Sequence, residues 1–105
     1  MSIDATLEHA VRVLRGMAYE HRLRLLVVLQ DGEQTPGALA ATVQLHSALV
    51  AHHLRYLHEA RLIRRQRRGR HVYYALDGEA TRRLVREVID FASDRAEPPG
   101  SGSAH

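Results

Sequence analysis

The sequence predicts a mainly α-helical domain with one small β-hairpin, in the order α-α-α-α-β-β-α. Two observations carry that prediction. Five segments place their apolar residues on the faces of a helix. Between the fourth and fifth, two short runs rich in Val, Ile and Tyr, LIRRQRR and RHVYYAL, are divided by Gly69, the signature of a hairpin with a glycine turn. At 105 residues, 45% of them apolar, the chain has the length of one domain with one small core. The folded domain is expected over residues 1–95. The remaining 96–105, AEPPGSGSAH, reads as a disordered tail from its Pro, Gly and Ser content.

From Ile3 to Met17 the residues Leu7, Ala10, Val11 and Leu14 mark one face of a first helix, with Asp4 suited to its N-terminal end. A second helix runs from Glu20 to about Gln30 and is apolar on nearly every side, the pattern of a buried central helix, with Asp31-Gly32 as its stop. Thr35-Pro36 offers a capping hydroxyl followed by proline at the first helical position, starting a short helix that ends near Gln44. After a two-residue turn Ser47 is a candidate cap for a fourth helix, whose inward stripe is Val50, Leu54 and Leu57 and which ends near Ala60. A short helix, a tight turn and a longer helix make a helix-turn-helix, and a hairpin directly after it is a wing. The last helix, Glu79 to Asp94, carries Leu84, Val85, Val88, Ile89 and Ala92 on one broad face.

Composition removes several functions. No cysteine is present, which excludes disulfides, thiolate metal sites and cysteine nucleophiles. His58-Glu59 begins an HExxH-like string, but Leu62 stands where the second histidine belongs, and there is no glycine-rich phosphate loop. The expectation is therefore a protein that is not an enzyme. Asp4 and Glu8 lie where a signal peptide needs positive charge, and no apolar run approaches the roughly 18 residues of a membrane span, so a cytoplasmic protein without a membrane partner is expected.

Charge points to a partner. All 15 basic residues are arginine, and seven of them, with only one of the 12 acids, fall between Arg55 and Arg70. That stretch holds +6 while the rest of the chain holds −3. A basic stripe on an otherwise mildly acidic chain suits a polyanion, most often nucleic acid.

The segments VLRGMAYEHRLRLLVVL and VAHHLRYLHEARLIRRQRRGRHVYYAL together resemble the ArsR/SmtB family of bacterial winged-helix repressors, over nearly the whole chain from Leu7 to Ala92. The features that carry the likeness are His52-His53-Leu54, the framing Leu57 and Leu62, and Arg68-Gly69-Arg70 leading into Val72-Tyr73-Tyr74. The resemblance implies a homodimer paired mainly through the first and last helices, on the faces formed by Leu7, Val11 and Leu14 and by Leu84, Val85, Val88 and Ile89. It also implies binding to an inverted repeat in double-stranded operator DNA, repressing until an effector, often a metal ion, weakens the complex.

A major groove about 12 Å wide admits one helix. The face opposite Val50, Leu54 and Leu57 consists of His46, Ser47, Ala48, Leu49, Ala51, His52 and Arg55, which are the base-proximal candidates. Arg55 and His52 can donate to guanine, whereas Ala48, Leu49 and Ala51 can only pack on thymine methyls. The family resembles a serine- and threonine-rich pattern here, so this chain has fewer polar base contacts and leans more on groove shape. Arg64, Arg67, Arg68 and Arg70 are expected on the DNA backbone and minor groove, lowering affinity for every sequence when lost. His53 and His58 read as helix residues packed against the domain or the wing.

No cofactor is required by this reading; a divalent metal such as nickel or zinc is a candidate effector. Family zinc sensors resemble an Asp and His pattern on the last helix, shared across the dimer, and here the equivalent positions read Asp77, Glu79, Asp90 and Ser93, with Asp94 adjacent and no imidazole. Carboxylate-only sites favour Mg²⁺, Ca²⁺ or Mn²⁺ over Zn²⁺ or Ni²⁺. The competing reading of these acids is capping of the last helix or pairing with Arg82, Arg83 and Arg86. The competing reading of the whole chain is a winged-helix module that binds protein or RNA, or a DNA-binding regulator that senses no metal.

Overall fold

The structure, a computed structural model, describes residues 2–96. The elements are α1 (Ile3–Met17), α2 (Glu20–Leu29), α3 (Pro36–Val43), α4 (Ser47–Glu59), β1 (Ile63–Arg68), β2 (His71–Leu76) and α5 (Gly78–Arg95), in the order the sequence predicts. The expected tail lies outside the described residues, apart from Ala96. No helix among the described residues is long and apolar enough to cross a membrane.

The start of α1 is fixed by Ser2, whose hydroxyl accepts from the amides of Asp4 and Ala5, while Asp4 sits in the first turn where the helix dipole favours an acid. Gly16 lets α1 cross close to the end of α4: a Cβ there would stand 2.9 Å from the Cβ of Ala60. The core is built from Leu25, Leu26 and Leu29 of α2, Leu39 of α3, Val50, Leu54 and Leu57 of α4, and Ile63, Leu76 and Val85. Although α2 is central, it is not buried all round; Val27 is 42% exposed, because the inward stripe is Arg22, Leu25, Leu26 and Leu29 and Val27 falls outside that arc.

Helix α3 begins as expected, with the Thr35 hydroxyl accepting from the Ala38 amide and Pro36 at the first position. It ends at Gln44, in the left-handed conformation at φ 57°. At α4 the expectation is corrected by one residue: His46, extended and without a side-chain cap bond, occupies the N-cap position, and Ser47 is the first helical residue. The turn places the extended residue at 46, so the serine hydroxyl is already inside the helix. At the other end the Leu62 amide donates to the Leu57 carbonyl and Arg61 takes φ 61°, a left-handed helix stop that normally uses glycine.

Strands β1 and β2 pair antiparallel, Ile63 with Leu76 through Arg68 with His71, around Gly69 at φ 63°. A third strand contact was not foreseen. Gln34 and Tyr74 exchange backbone hydrogen bonds of 2.9 and 2.8 Å, which fastens the segment before α3 to the free edge of β2. At the start of α5 the Asp77 side chain makes no cap bond; its carbonyl accepts from the Thr81 hydroxyl instead. Helix α5 is tied to the end of α2 by Arg82 donating to the Gln30 carbonyl and Gln30 donating to the Arg82 carbonyl.

Candidate nucleic-acid interface

Helix α4 is amphipathic in the sense the sequence requires. Val50, His53, Leu54 and Leu57 are buried, while His46, Ser47, Ala48, Leu49, Ala51, His52 and Arg55 are all exposed. The seven candidates therefore share one open side of the α4 segment. Thirteen residues span about 20 Å of helix, enough to lie along a major groove. Three more exposed residues on α4 were not among the candidates: Tyr56, whose ring meets His52 edge-on at 5.0 Å, His58, which was expected to be packed and is exposed, and Glu59 at the end of the helix.

The position of α4 is set from beneath by a buried cation. Arg22 is 6% exposed; its Nε donates to His53 Nδ1 at 3.2 Å and its Nη1 donates to the Arg15 carbonyl at 3.0 Å. Its guanidinium lies between two rings, 4.5 Å from Tyr19 and 4.2 Å from Tyr56. Since Nδ1 accepts, the proton of neutral His53 is on Nε2, which is buried and has no partner among the described residues. Burial first, and then the charges of Arg22, His52 and His21, hold the His53 pKa below its usual value. His53 is thus packed in the domain, as expected, and its environment favours the neutral form. Arg22 is the residue the sequence reading missed, although 22, 25, 26 and 29 form a complete helical stripe.

Beside α4 stands the wing. Strand alternation puts Arg64 and Arg68 on one face and Arg65 and Arg67 on the other, with Arg70 in the turn, and all five are exposed. Arg68 differs from the rest. It forms an ion pair with Glu33 and stacks 4.1 Å from the Tyr73 ring.

The terminal helices present a second surface. Leu7, Val11 and Leu14 of α1 are 54, 45 and 61% exposed, and Phe91 of α5 is 61% exposed. An open groove of about 1250 Å³ runs along α1, bordered by Leu7, Val11, Tyr19 and Tyr56. Leu84 and Ile89 are exposed on α5 and Val88 is half-buried. Val85 is corrected: at 0% exposure it belongs to the core of its own chain and is not available to a partner.

The carboxylates nominated for a metal are not gathered. No group of three or more His, Cys, Asp or Glu able to hold an ion occurs among the described residues. Glu79 and Asp90 are eleven residues apart on α5, about 16 Å along the axis. Asp77 and Glu79 therefore lie at one end and Asp90 and Asp94 near the other, and within one chain this donor set does not fit a metal ion. Glu79 instead lies 3.8 Å from Arg82, in keeping with the pairing alternative.

Comparisons with known proteins agree with this geometry. The model for the family described as bacterial regulatory protein, arsR family, matches residues 20–65. The chain is 37% identical over 90 residues to the transcriptional repressor SmtB homolog of Synechocystis sp., covering 86% of this chain and 67% of that protein. Among solved structures it is similar to the homodimeric winged helix-turn-helix DNA-binding domain of Mb0332 from Mycobacterium bovis, with TM-score 0.85, 29% identity, and coverage of 90% of this chain and 87% of that one. It is also similar to the cadmium metal-sensor CMTR from Mycobacterium tuberculosis, with TM-score 0.66, 37% identity, and coverage of 75% and 82%.

Proposed function

The chain belongs to the arsR family of bacterial regulatory proteins, and from that membership we propose that it is a homodimeric repressor that binds an inverted repeat in operator DNA. The observation that carries the proposal is the adjacency of two features: an exposed face of α4 with small and donor side chains, and a hairpin whose arginines belong to a +6 stretch. In this reading α4 enters the major groove, where Arg55 and His52 donate to base edges and Ala48, Leu49 and Ala51 pack on thymine methyls. Arg64, Arg67 and Arg70 bind the flanking backbone, which orients the protein without reading sequence. The buried Arg22–His53 contact holds α4 at a fixed angle to α2, so the donors reach the groove already aligned.

The dimer reading is supported by the apolar residues Leu7, Val11, Leu14, Leu84 and Ile89, which no described part of their own chain covers. Two copies joined there would present two α4 helices to half-sites about one helical turn apart. Metal has no part in this reading, because the described residues of one chain do not assemble a donor set.

The test is fluorescence anisotropy on duplex from upstream of the protein's own gene and on scrambled duplex, across a salt series. Tight, selective binding is expected on the first and weak, steeply salt-dependent binding on the second. Equal affinity for both would overturn the operator reading in favour of sequence-independent binding. No binding to either would favour a protein or RNA interaction module. Adding Mn²⁺, Zn²⁺ or Ni²⁺ is expected to leave affinity unchanged; a tenfold change, about 1.4 kcal/mol of coupling, would make an ion the effector and Asp77, Glu79, Asp90 and Asp94 the residues to replace in locating it.

A further inference from the structure

We propose that Glu33 is an internal counter-ion for the wing, which occupies Arg68 in the free protein and lowers affinity for DNA of every sequence. The inference rests on the DNA-binding reading above and deepens it. Arg68 is the last residue of β1, beside the Gly69 turn and so at the tip of the hairpin. Its guanidinium is paired with the Glu33 carboxylate and lies over Tyr73, yet both side chains keep nearly half their surface open, at 48 and 40%. Among the described residues, Arg64, Arg65, Arg67 and Arg70 have no carboxylate within 4 Å. One wing arginine of five is therefore engaged, and the acid that engages it stands beside the charge stripe rather than within it.

The pair is not needed to hold the wing in place. The segment carrying Glu33 is already fastened to β2 by the two backbone hydrogen bonds between Gln34 and Tyr74, and half-exposed ion pairs add little to stability. What Glu33 does affect is the field that a phosphate meets. A phosphate approaching Arg68 must displace a carboxylate of the same charge sign, and where it fails to do so it gains one fewer cation. Both penalties are independent of base sequence, since phosphate contacts carry none. Such a built-in competitor weakens indiscriminate binding while leaving the base-reading face of α4 untouched.

The test uses the full chain with Glu33→Gln, Arg68→Ala and the double variant, measured by anisotropy on inverted-repeat and scrambled duplexes over a salt series. Glu33→Gln is expected to bind both duplexes about three- to tenfold more tightly, with a salt slope steeper by about one. Arg68→Ala is expected to cost more affinity in the Glu33→Gln background than in the wild type, because only there is the guanidinium free. The Tm of Glu33→Gln is expected to stay within about 2 °C of wild type. Unchanged or weaker binding by Glu33→Gln, in a protein whose wild type binds DNA, would overturn the counter-ion alone. A large fall in Tm would overturn it in favour of a structural brace. Failure of the wild type to bind either duplex would overturn both this inference and the reading it rests on.

Discussion

Helices α2 and α4 bury their apolar stripes inside the chain, whereas α1 turns Leu7, Val11 and Leu14 to the outside and α5 divides its stripe, with Val85 inside and Leu84, Ile89 and Phe91 outside. All four have apolar residues at helical spacing. The difference lies in what is available to cover them: α2 and α4 have neighbours on two sides, while α1 and α5 flank the molecule and have neighbours on one. An apolar face of this kind is uncovered in a monomer and is expected to be covered in a dimer. The centre of the molecule specifies the fold, and in the proposed dimer its ends specify the assembly.

That contrast can be broken most forcefully at the centre. Leu26→Ala removes a fully buried side chain of α2 and should cost about 2–5 kcal/mol of stability, a large share of what so small a domain has. Chemical denaturation would show it as a lower midpoint. At the ends the same chemistry should have a different result. Leu14→Glu, at a position 61% exposed, should leave the helical content of the chain intact but convert dimer to monomer in sedimentation experiments. It should also weaken operator binding by about a hundredfold through loss of the second half-site contact. If Leu14→Glu unfolded the chain, or left the dimer unchanged, the division between centre and ends would fail.

A smaller effect concerns the joint between α2 and α4. His53 is held neutral, its pKa lowered chiefly by burial and then by Arg22. In the unfolded chain it would take a proton near the ordinary histidine value of 6.5, whereas the folded chain resists. Stability is therefore fully present above about pH 6.5 and declines as pH falls below it. Replacement by an uncharged acceptor, His53→Gln, should flatten that decline between pH 6.5 and 5 in thermal unfolding, at some cost at neutral pH. An unchanged pH profile would show that His53 is not its source.

The smallest expected effect is a gain. Arg61 ends α4 at φ 61°, a conformation that disfavours a Cβ, so Arg61→Gly should stabilise the fold by about 0.5–1 kcal/mol. Its increased Tm should come with the selectivity for operator over scrambled duplex unchanged, since Arg61 is not among the residues assigned to base edges, while its lost charge weakens binding to both duplexes alike.

The order of elements was legible because several breaks have a local chemical signal: Thr35-Pro36 at the start of α3, Gly69 between the strands, Asp31-Gly32 after α2. The exposed side of α4 was legible for the same reason, since Val50, Leu54 and Leu57 fix which side faces in. The side of α5 that Val85 faces was not, because one broad stripe serves two neighbours and periodicity cannot divide it. Nor was the burial of Arg22, which stands in register with Leu25, Leu26 and Leu29 but carries no apolar signal of its own. Long-range pairs had no sequence signal at all. The contacts Gln34–Tyr74 and Arg68–Glu33 depend on how the segment before α3 meets the hairpin, which follows from packing of the whole domain.

The most direct test of the central claim, that the exposed faces of α1 and α5 pair two copies so that two α4 helices read one operator, is the stoichiometry and spacing dependence of the complex. Analytical ultracentrifugation of the protein with an inverted-repeat duplex should give two chains per duplex. Inserting about five base pairs between the half-sites, half a helical turn, should abolish the selective affinity by turning one half-site to the opposite side of the DNA. One chain per duplex, or affinity indifferent to the insertion, would contradict the account.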